Sequence, residues 1–224
     1  ALRAGRRGAG NALLAGGWTA GLFFWGWMAA SGALPGRAFE PRFTPERLAG
    51  FIDAERAALG GLRLLNPWHW GGYIGWRFHP DYPVFVDGRY IFHKLLRPMR
   101  DALVSPADYQ AFLDRYKVEL VLAERAPQFA PMEVETRRGR TKILRPYYLH
   151  FLPREKWALV FFNKEGTVFV RRSAVPRGWL AGREFRTFRP DDLAAAELLV
   201  REGGVPYAEV EAEAKRHLSQ DERP

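Results

Sequence analysis

The distribution of charged residues separates an apolar N-terminal stretch from a longer part in which apolar and polar positions alternate. From Ala12 to Leu34 the chain runs 23 residues without a charged side chain. A helix rises 1.5 Å per residue, so this stretch is long enough to cross a hydrocarbon core of about 30 Å. We therefore predict a transmembrane helix over residues 12–34, preceded by a basic flank (1–11) and followed by a proline-containing linker (35–43).

The basic residues Arg3, Arg6 and Arg7 predict the orientation of this helix. A short flank rich in arginine usually stays in the cytoplasm, which places the rest of the chain on the extracytoplasmic side. A cleaved signal peptide is the alternative, because Ser31-Gly32-Ala33 offers the small residues of a cleavage site. The apolar run is long for a signal peptide, and the transmembrane helix is the preferred interpretation.

Glycines within the apolar stretch suggest a partner for the helix. Gly17 and Gly21 are four residues apart, a spacing of small residues that lets a second helix approach closely. We expect contact with transmembrane helices of other membrane subunits. The alternative is that these glycines reflect only the frequency of glycine in membrane helices.

After the linker, the pattern predicts helices alternating with short strands. A helix is expected over Thr44–Gly60, with Thr44 as N-cap, and another over Pro106–Tyr116, capped by Ser105. Short buried strands are expected at 61–65, 84–86 and 118–123. Strands joined by helical crossovers predict a small parallel βαβ core.

Later segments predict antiparallel pairs and a helical end. Residues 132–136 and 141–144 predict an inserted hairpin, while 157–162 and 167–171 predict one that completes the sheet, with Gly166 in a left-handed turn position. Helices over 191–202 and 206–218 predict a C-terminal hairpin. The expected fold class is α/β: a transmembrane helix, a mixed sheet with flanking helices in a domain over 44–175, and a helical hairpin with tail over 176–224.

Composition narrows the possible chemistry. The chain has no cysteine, which excludes disulfides, thiol catalysis and zinc–thiolate sites. Its five histidines lack metal-binding spacing, so neither a metal nor a cofactor is expected. The formal charge of +9 favours anionic partners, and we expect lipid headgroups rather than nucleic acid, because no recognition module is visible. The basic segment that would contact anionic headgroups comprises Arg137, Arg138, Arg140 and Lys142, although a solvated loop would explain it equally.

The most distinctive motif is an aromatic cluster broken by paired glycines, Asn66-Pro67-Trp68-His69-Trp70-Gly71-Gly72-Tyr73-Ile74-Gly75-Trp76-Arg77, followed by an apolar run that ends in Asp87-Gly88-Arg89. This pattern resembles the soluble extracytoplasmic module after the last membrane helix of bacterial GT-C glycosyltransferases, which take sugars from polyprenyl-phosphate carriers. A more distant similarity is to the aromatic signature of the oligosaccharyltransferase catalytic subunit. The resemblance spans roughly residues 44–172.

The resemblance implies a location but no catalytic centre, because the catalytic carboxylates of that family lie between early membrane helices. Two functions therefore remain open. The preferred one is a non-catalytic, single-span accessory subunit in the bacterial inner membrane, with a periplasmic domain that docks on a larger membrane complex. The alternative is a C-terminal fragment of a GT-C glycosyltransferase that uses a polyprenyl-phosphate sugar, so whether the chain is an enzyme stays open.

Five residues are candidate ligand contacts. Trp68 and Tyr73 match the signature by residue type, whereas His69 stands where the family usually has aspartate. Asp87 and Arg89 follow a predicted strand, where open α/β sheets collect functional groups. Core packing is the alternative for the aromatic residues, and mutual pairing is the alternative for Asp87 and Arg89.

The paired glycines and a pair of aspartates also have alternative roles. Gly71 and Gly72 could let backbone approach a phosphate at a helix N-terminus, or could allow a tight turn and close helix packing. We favour packing. Asp191 and Asp192 are well placed to cap the following helix.

Overall fold

Strands and helices follow one another along the chain as expected for an α/β fold. The computed structural model describes residues 44–125, 128–202 and 204–221. The strands are β1 (Leu64–Leu65), β2 (Leu120–Glu124), β3 (Phe129–Thr136), β4 (Gly139–Pro146), β5 (Trp157–Phe162) and β6 (Gly166–Arg171). The helices are α1 (Glu46–Ala54), α2 (Arg56–Leu59), α3 (Gly71–Phe78), α4 (His93–Ala102), α5 (Pro106–Arg115), α6 (Tyr148–Phe151), α7 (Arg177–Arg183), α8 (Leu193–Arg201) and α9 (Tyr207–Asp221).

The main sheet is mixed, as predicted. In the part of the chain that the structure describes it has four strands in the order β1-β2-β6-β5. β1 is parallel to β2, with Leu64 beside Leu120, whereas β6 is antiparallel to both β2 and β5. The connection from β1 to β2 contains α3, α4 and α5, so the expected parallel crossover is present.

Three predictions for this half of the domain are wrong. Residues 84–86 form no strand and run as irregular backbone. The helix expected over 44–60 is broken at Glu55 into α1 and α2. Thr44 is not its N-cap: α1 begins at Glu46 after Pro45, without a side-chain cap. By contrast, Ser105 caps α5 as predicted, because its Oγ accepts a hydrogen bond from the Asp108 amide at 3.1 Å.

Hairpin β5–β6 is buried on both faces. All six residues of β5 are buried, and an irregularity between Leu159 and Phe161 interrupts its pairing with β6. Phe161 stacks on Phe51 of α1, with ring centroids 4.7 Å apart. Phe162, the next residue, belongs to the core cluster on the other side together with Trp157 and Leu159. Adjacent strand residues face opposite sides, and the irregularity puts Phe162 on the same side as Leu159, three residues earlier.

Both predicted hairpins form. β3 pairs with β4 in a separate antiparallel ribbon whose turn leads to Gly139, at φ 114°. In the other hairpin, Gly166 does not adopt the left-handed conformation that we expected. It is the first residue of β6, and a Cβ there would overlap the carbonyl oxygen of Ala123 and crowd the Trp70 ring. Close packing, rather than turn geometry, explains this glycine.

The predicted C-terminal helical hairpin is formed by α8 and α9. The expected capping role of Asp191 and Asp192 is wrong, because neither carboxylate accepts a hydrogen bond from a backbone amide at the start of α8. Asp191 instead pairs with Arg125 at 2.7 Å, and this hydrogen bond lowers the pKa of Asp191 below its ordinary value. Asp192 pairs with Arg145 of β4 through both carboxylate oxygens, at 2.9 and 2.5 Å. These ion pairs attach the start of α8 to the ribbon and to the end of β2.

The membrane-related predictions fall on residues 1–43, which lie outside the described residues. They include the basic flank, the helix over 12–34, the Gly17–Gly21 pair and the linker. Among the residues that the structure describes, no helix combines the length and the apolar character needed to cross a bilayer.

Several side chains attach helix α9 to the domain, and one carboxylate makes four of the hydrogen bonds. Glu213 accepts hydrogen bonds from the backbone amides of Arg186, Thr187 and Phe188 at 2.8–2.9 Å, and from the Thr187 hydroxyl at 3.0 Å. On the same helix, His217 stacks on Phe162 with centroids 4.1 Å apart. Together these contacts hold residues 186–188 between α9 and the sheet.

We expect Glu213→Gln to lower the free energy of unfolding by about 1–3 kcal/mol, because hydrogen bonds to a charged acceptor are worth more than those to an amide. Chemical denaturation measures the change, and hydrogen exchange should show faster exchange of the 186–188 amides. Glu209→Gln, on the exposed side of the same helix, is the matched control and should change stability by less than about 0.5 kcal/mol. Equal effects of the two substitutions would contradict this role of Glu213.

Candidate functional site

A buried asparagine joins the two halves of the aromatic–glycine motif. Asn66 is only 1% exposed and follows β1 directly. Its Nδ2 donates to the carbonyl oxygen of Val86 at 2.8 Å, and its Oδ1 accepts from the Phe85 amide at 3.0 Å. One side chain thus satisfies backbone groups that a neighbouring strand would otherwise pair, which explains how residues 84–86 lie beside β1 without forming a strand.

Gly71 allows helix α3 to begin against this irregular segment. A Cβ at position 71 would overlap the Val86 carbonyl oxygen and the Asp87 backbone. A Cβ at position 72, by contrast, would meet no atom within 4 Å. Gly71 is therefore required for packing, as we favoured, although it packs on the 86–87 segment rather than on the sheet. Gly72 leaves an open surface at the first turn of α3.

Asp87 and Arg89 pair with each other, which was one of the two predicted roles. The Asp87 side chain is buried, and its two oxygens accept from the Arg89 amide at 2.8 Å and from Arg89 Nε at 2.6 Å. Trp68 closes the loop, because its indole N–H donates to the Asp87 carbonyl oxygen. With both carboxylate oxygens engaged, Asp87 is arranged to position Arg89 rather than to accept a proton from a substrate.

A cleft of about 700 Å³ lies between α3 and the segment from Tyr82 to Phe92. Its apolar walls are Trp76, Val84 and Phe92, and its polar groups include His79, Asp87 and Arg89. Arg89 is about two-thirds exposed and lies over the Phe92 ring at 5.4 Å. This arrangement suits a ligand with an anionic group beside an apolar body or a sugar ring, since arginine and aromatic faces bind such groups.

The structure separates the five predicted ligand contacts. Asp87 and Arg89 line the cleft, whereas Trp68 and Tyr73 do not. Tyr73 is buried, and burial is the main cause that raises the pKa of its hydroxyl. His69 lines a different cavity of about 580 Å³, where its Nε2 lies 2.5 Å from a carboxylate oxygen of Glu124. The aromatic motif therefore serves packing at Tyr73 and loop support at Trp68.

The predicted lipid-contact residues lie on the ribbon, and part of their charge is balanced there. In the register of β3 and β4, Lys142 is opposite Glu133 and Arg140 is opposite Glu135. The distance between Arg140 and Glu133 is 3.8 Å. Arg137 and Arg138 occupy the exposed turn. The basic character is thus concentrated at the tip of the ribbon, where contact with anionic headgroups stays a prediction.

Two residues that shape the cleft were not singled out from the sequence. Trp76, which is 65% exposed, belongs to the quoted motif, but its helical position gave no sign that it would form a wall. Phe92 follows the Asp-Gly-Arg segment in a short turn. Trp76 and Phe92 line the same cleft although they are sixteen residues apart in the sequence, which no local pattern reveals. In the described ranges, no group of three or more His, Asp or Glu side chains is arranged to hold a metal ion.

Comparisons with protein-family models, with curated proteins and with solved structures gave no match. The resemblance to GT-C glycosyltransferases therefore stays a prediction based on the motif. What the residues establish is the cleft itself and the contacts that build it.

We expect Gly71→Ala to lower the free energy of unfolding by about 1–3 kcal/mol, because the added methyl group must displace the Val86–Asp87 backbone. Gly72→Ala is the matched control at the next helical position. It should leave stability unchanged or raise it by up to about 1 kcal/mol, since it adds helix propensity without a clash. Chemical denaturation of both variants tests the pair, and equal stability of the two would refute the proposed packing role.

Proposed function

We propose that this chain is a non-catalytic accessory subunit of a larger complex in the bacterial inner membrane, anchored by residues 12–34 with its α/β domain on the periplasmic side. The sequence supports attachment through the 23 uncharged residues and the arginines before them. The observation that carries a docking role is a set of exposed apolar side chains on helix α4, on the residues that flank it and at the cleft wall.

This surface, here the α4 surface, comprises large side chains that are 42–77% exposed: Trp76, Ile91, Leu96, Leu103 and Val104. Trp76 is a wall of the cleft, and Ile91 precedes Phe92, another wall. Leu96 and Leu103 are seven residues apart, which places them on the same side of the helix. The adjoining side of α4 packs on the core through Leu95 and Met99. A run of exposed apolar residues beside a cleft is typical of an interaction site.

The charges on α4 indicate the chemistry of the partner. Arg97 and Arg100 both approach the single carboxylate of Asp101, at 3.5 and 3.1 Å, and Lys94 adds a further positive charge. The surface therefore combines apolar side chains with an excess of positive charge. A partner subunit whose periplasmic face carries apolar and acidic residues would complement it.

The test is a double substitution, Leu96→Glu with Leu103→Glu, in the full chain extracted gently from native membranes. We expect the wild-type chain in a complex well above its own 25.6 kDa, and at least about tenfold less complex for the double variant, because two charges would enter an apolar contact. Native mass spectrometry measures both. Leu218→Glu, a substitution at an exposed leucine on α9, is the control and should leave the complex intact.

Two outcomes would contradict the proposal. One is a wild-type chain that purifies alone at 25.6 kDa. The other is a double variant that retains its partners at the wild-type level while the thermal unfolding of both proteins is the same.

A second candidate function is the C-terminal part of a GT-C glycosyltransferase that uses a polyprenyl-phosphate sugar. The cleft favours it, because Arg89 provides a cation beside the aromatic walls Trp76 and Phe92, a combination suited to a phosphate joined to a sugar or to a lipid chain.

Immunoblotting of native membranes with an antibody raised against the domain separates the two candidates. A polypeptide several times larger than 25.6 kDa is expected for the glycosyltransferase, because its catalytic loops require additional membrane helices. A band at 25.6 kDa would exclude this second candidate and leave the accessory subunit.

A further inference from the structure

A second cleft, of about 590 Å³, lies between the β3–β4 ribbon and helix α8. Arginines from three parts of the chain line it: Arg145 from β4, Arg154 from the segment after α6, and Arg186 and Arg189 from the segment before α8. Met132, Leu149 and Leu199 add apolar walls. This cleft is distinct from the one beside α3, with which it shares no lining residue.

Arg189 is the unusual member of this set. Its side chain is buried, with 5% of the residue exposed, and its Nη2 has no hydrogen-bond partner among the described residues. Burial is the main cause that lowers the pKa of the guanidinium, and the nearby positive charge of Arg154 lowers it further. Arginine nevertheless stays protonated in proteins, so a positive charge is buried here without a hydrogen-bonded partner at Nη2.

The carboxylates near Arg189 are already engaged by other arginines. Those that act on it are Asp192 and Glu184. Asp192 accepts hydrogen bonds from Nε and Nη2 of Arg145. Glu184 is paired with Arg172 and Arg186. With Arg154 and Arg189, five arginines surround these two buried carboxylates, and the other acidic residues of the cleft lining are three exposed glutamates.

Other polar groups in or near the cleft do not pair with Nη2 of Arg189. The hydroxyl of Tyr148 donates to the Pro190 carbonyl oxygen at 3.2 Å, and burial raises the pKa of this tyrosine, so it stays neutral. Glu133, Glu135 and Glu155 also line the cleft, but they are exposed and are not among the charges that act on Arg189. His150 adds a further nitrogen group to the lining.

We propose that this cleft binds a phosphate-bearing ligand, with Arg189 as the buried contact and Arg154 as the second contact. A phosphate supplies the acceptor oxygens and the negative charge that the arginine cluster requires. The volume of about 590 Å³ and the apolar walls leave room for an organic body joined to the phosphate. That body belongs either to a soluble phosphate ester or to an anionic lipid whose headgroup enters the cleft.

The test compares thermal unfolding of the full chain and of Arg189→Met, which keeps an apolar stem of similar length and removes the charge. Without phosphate, the variant should be at least as stable as the wild type, because an unpaired buried charge has been removed. Inorganic phosphate should raise the melting temperature of the wild type by about 3 °C near ten times its dissociation constant, and that of the variant by less than about 1 °C. Sodium chloride at matched ionic strength controls for screening.

Proteoliposomes of phosphatidylcholine, with and without phosphatidic acid, provide the lipid arm. Stabilisation of the wild type by inorganic phosphate assigns the site to soluble phosphate compounds. Stabilisation by phosphatidic acid alone assigns it to lipid headgroups. In either case Arg189→Met must lose the effect, whereas Arg177→Met, which removes an exposed charge on α7, must keep it.

Arg154→Met gives an independent check, because Arg154 is exposed and its replacement should not impair folding. We expect it to reduce the phosphate-dependent shift by about half. The proposal is overturned if neither phosphate nor phosphatidic acid distinguishes the wild type from the Arg189 and Arg154 variants.

Discussion

The fold depends on hiding hairpin β5–β6 from water on both faces. Every residue of β5 is buried, so each face requires its own apolar cover. Helix α1 covers one face through Phe51, while α5 and the segment around Phe85 cover the other. These covers come from the first half of the domain, so the hairpin is enclosed by elements that precede it in the sequence. The ribbon and the C-terminal helices then attach around this centre.

The cleft beside α3 lies next to β1, the edge strand of the main sheet. β1 is only two residues long. The next residue, Asn66, forms side-chain hydrogen bonds with the backbone of Phe85 and Val86, in place of the pairing that a longer strand would make. Gly71 then allows α3 to begin in contact with the same segment. A side-chain amide and a missing Cβ therefore set the distance between the two walls. The position of Arg89 in the cleft follows from this packing through its pairing with Asp87.

Electrostatics distinguishes the two clefts. In the first, an exposed arginine is aligned by a buried carboxylate, and the charge remains available to solvent. In the second, arginines outnumber the buried carboxylates and one of them, Arg189, is withdrawn from water. The net charge of +9 is therefore not spread evenly as a solvated surface. At Arg189 a positive charge is buried without a hydrogen-bond partner at Nη2 among the described residues, and buried charge of this kind requires compensation.

Local patterns in the sequence determined most elements of the described domain. Ser105 predicted the start of α5, and alternating apolar runs predicted both hairpins, because capping and strand periodicity depend on neighbours a few residues away. Only the tertiary structure decided which residues meet. An apolar run such as β5 does not show that an irregularity after Leu159 puts Phe162 on the same side as Trp157. The position of Asp192 before a helix predicted a capping role, but its side chain pairs with Arg145, 47 residues earlier. Packing and ion pairing act between distant segments, so the sites they create were beyond local inference.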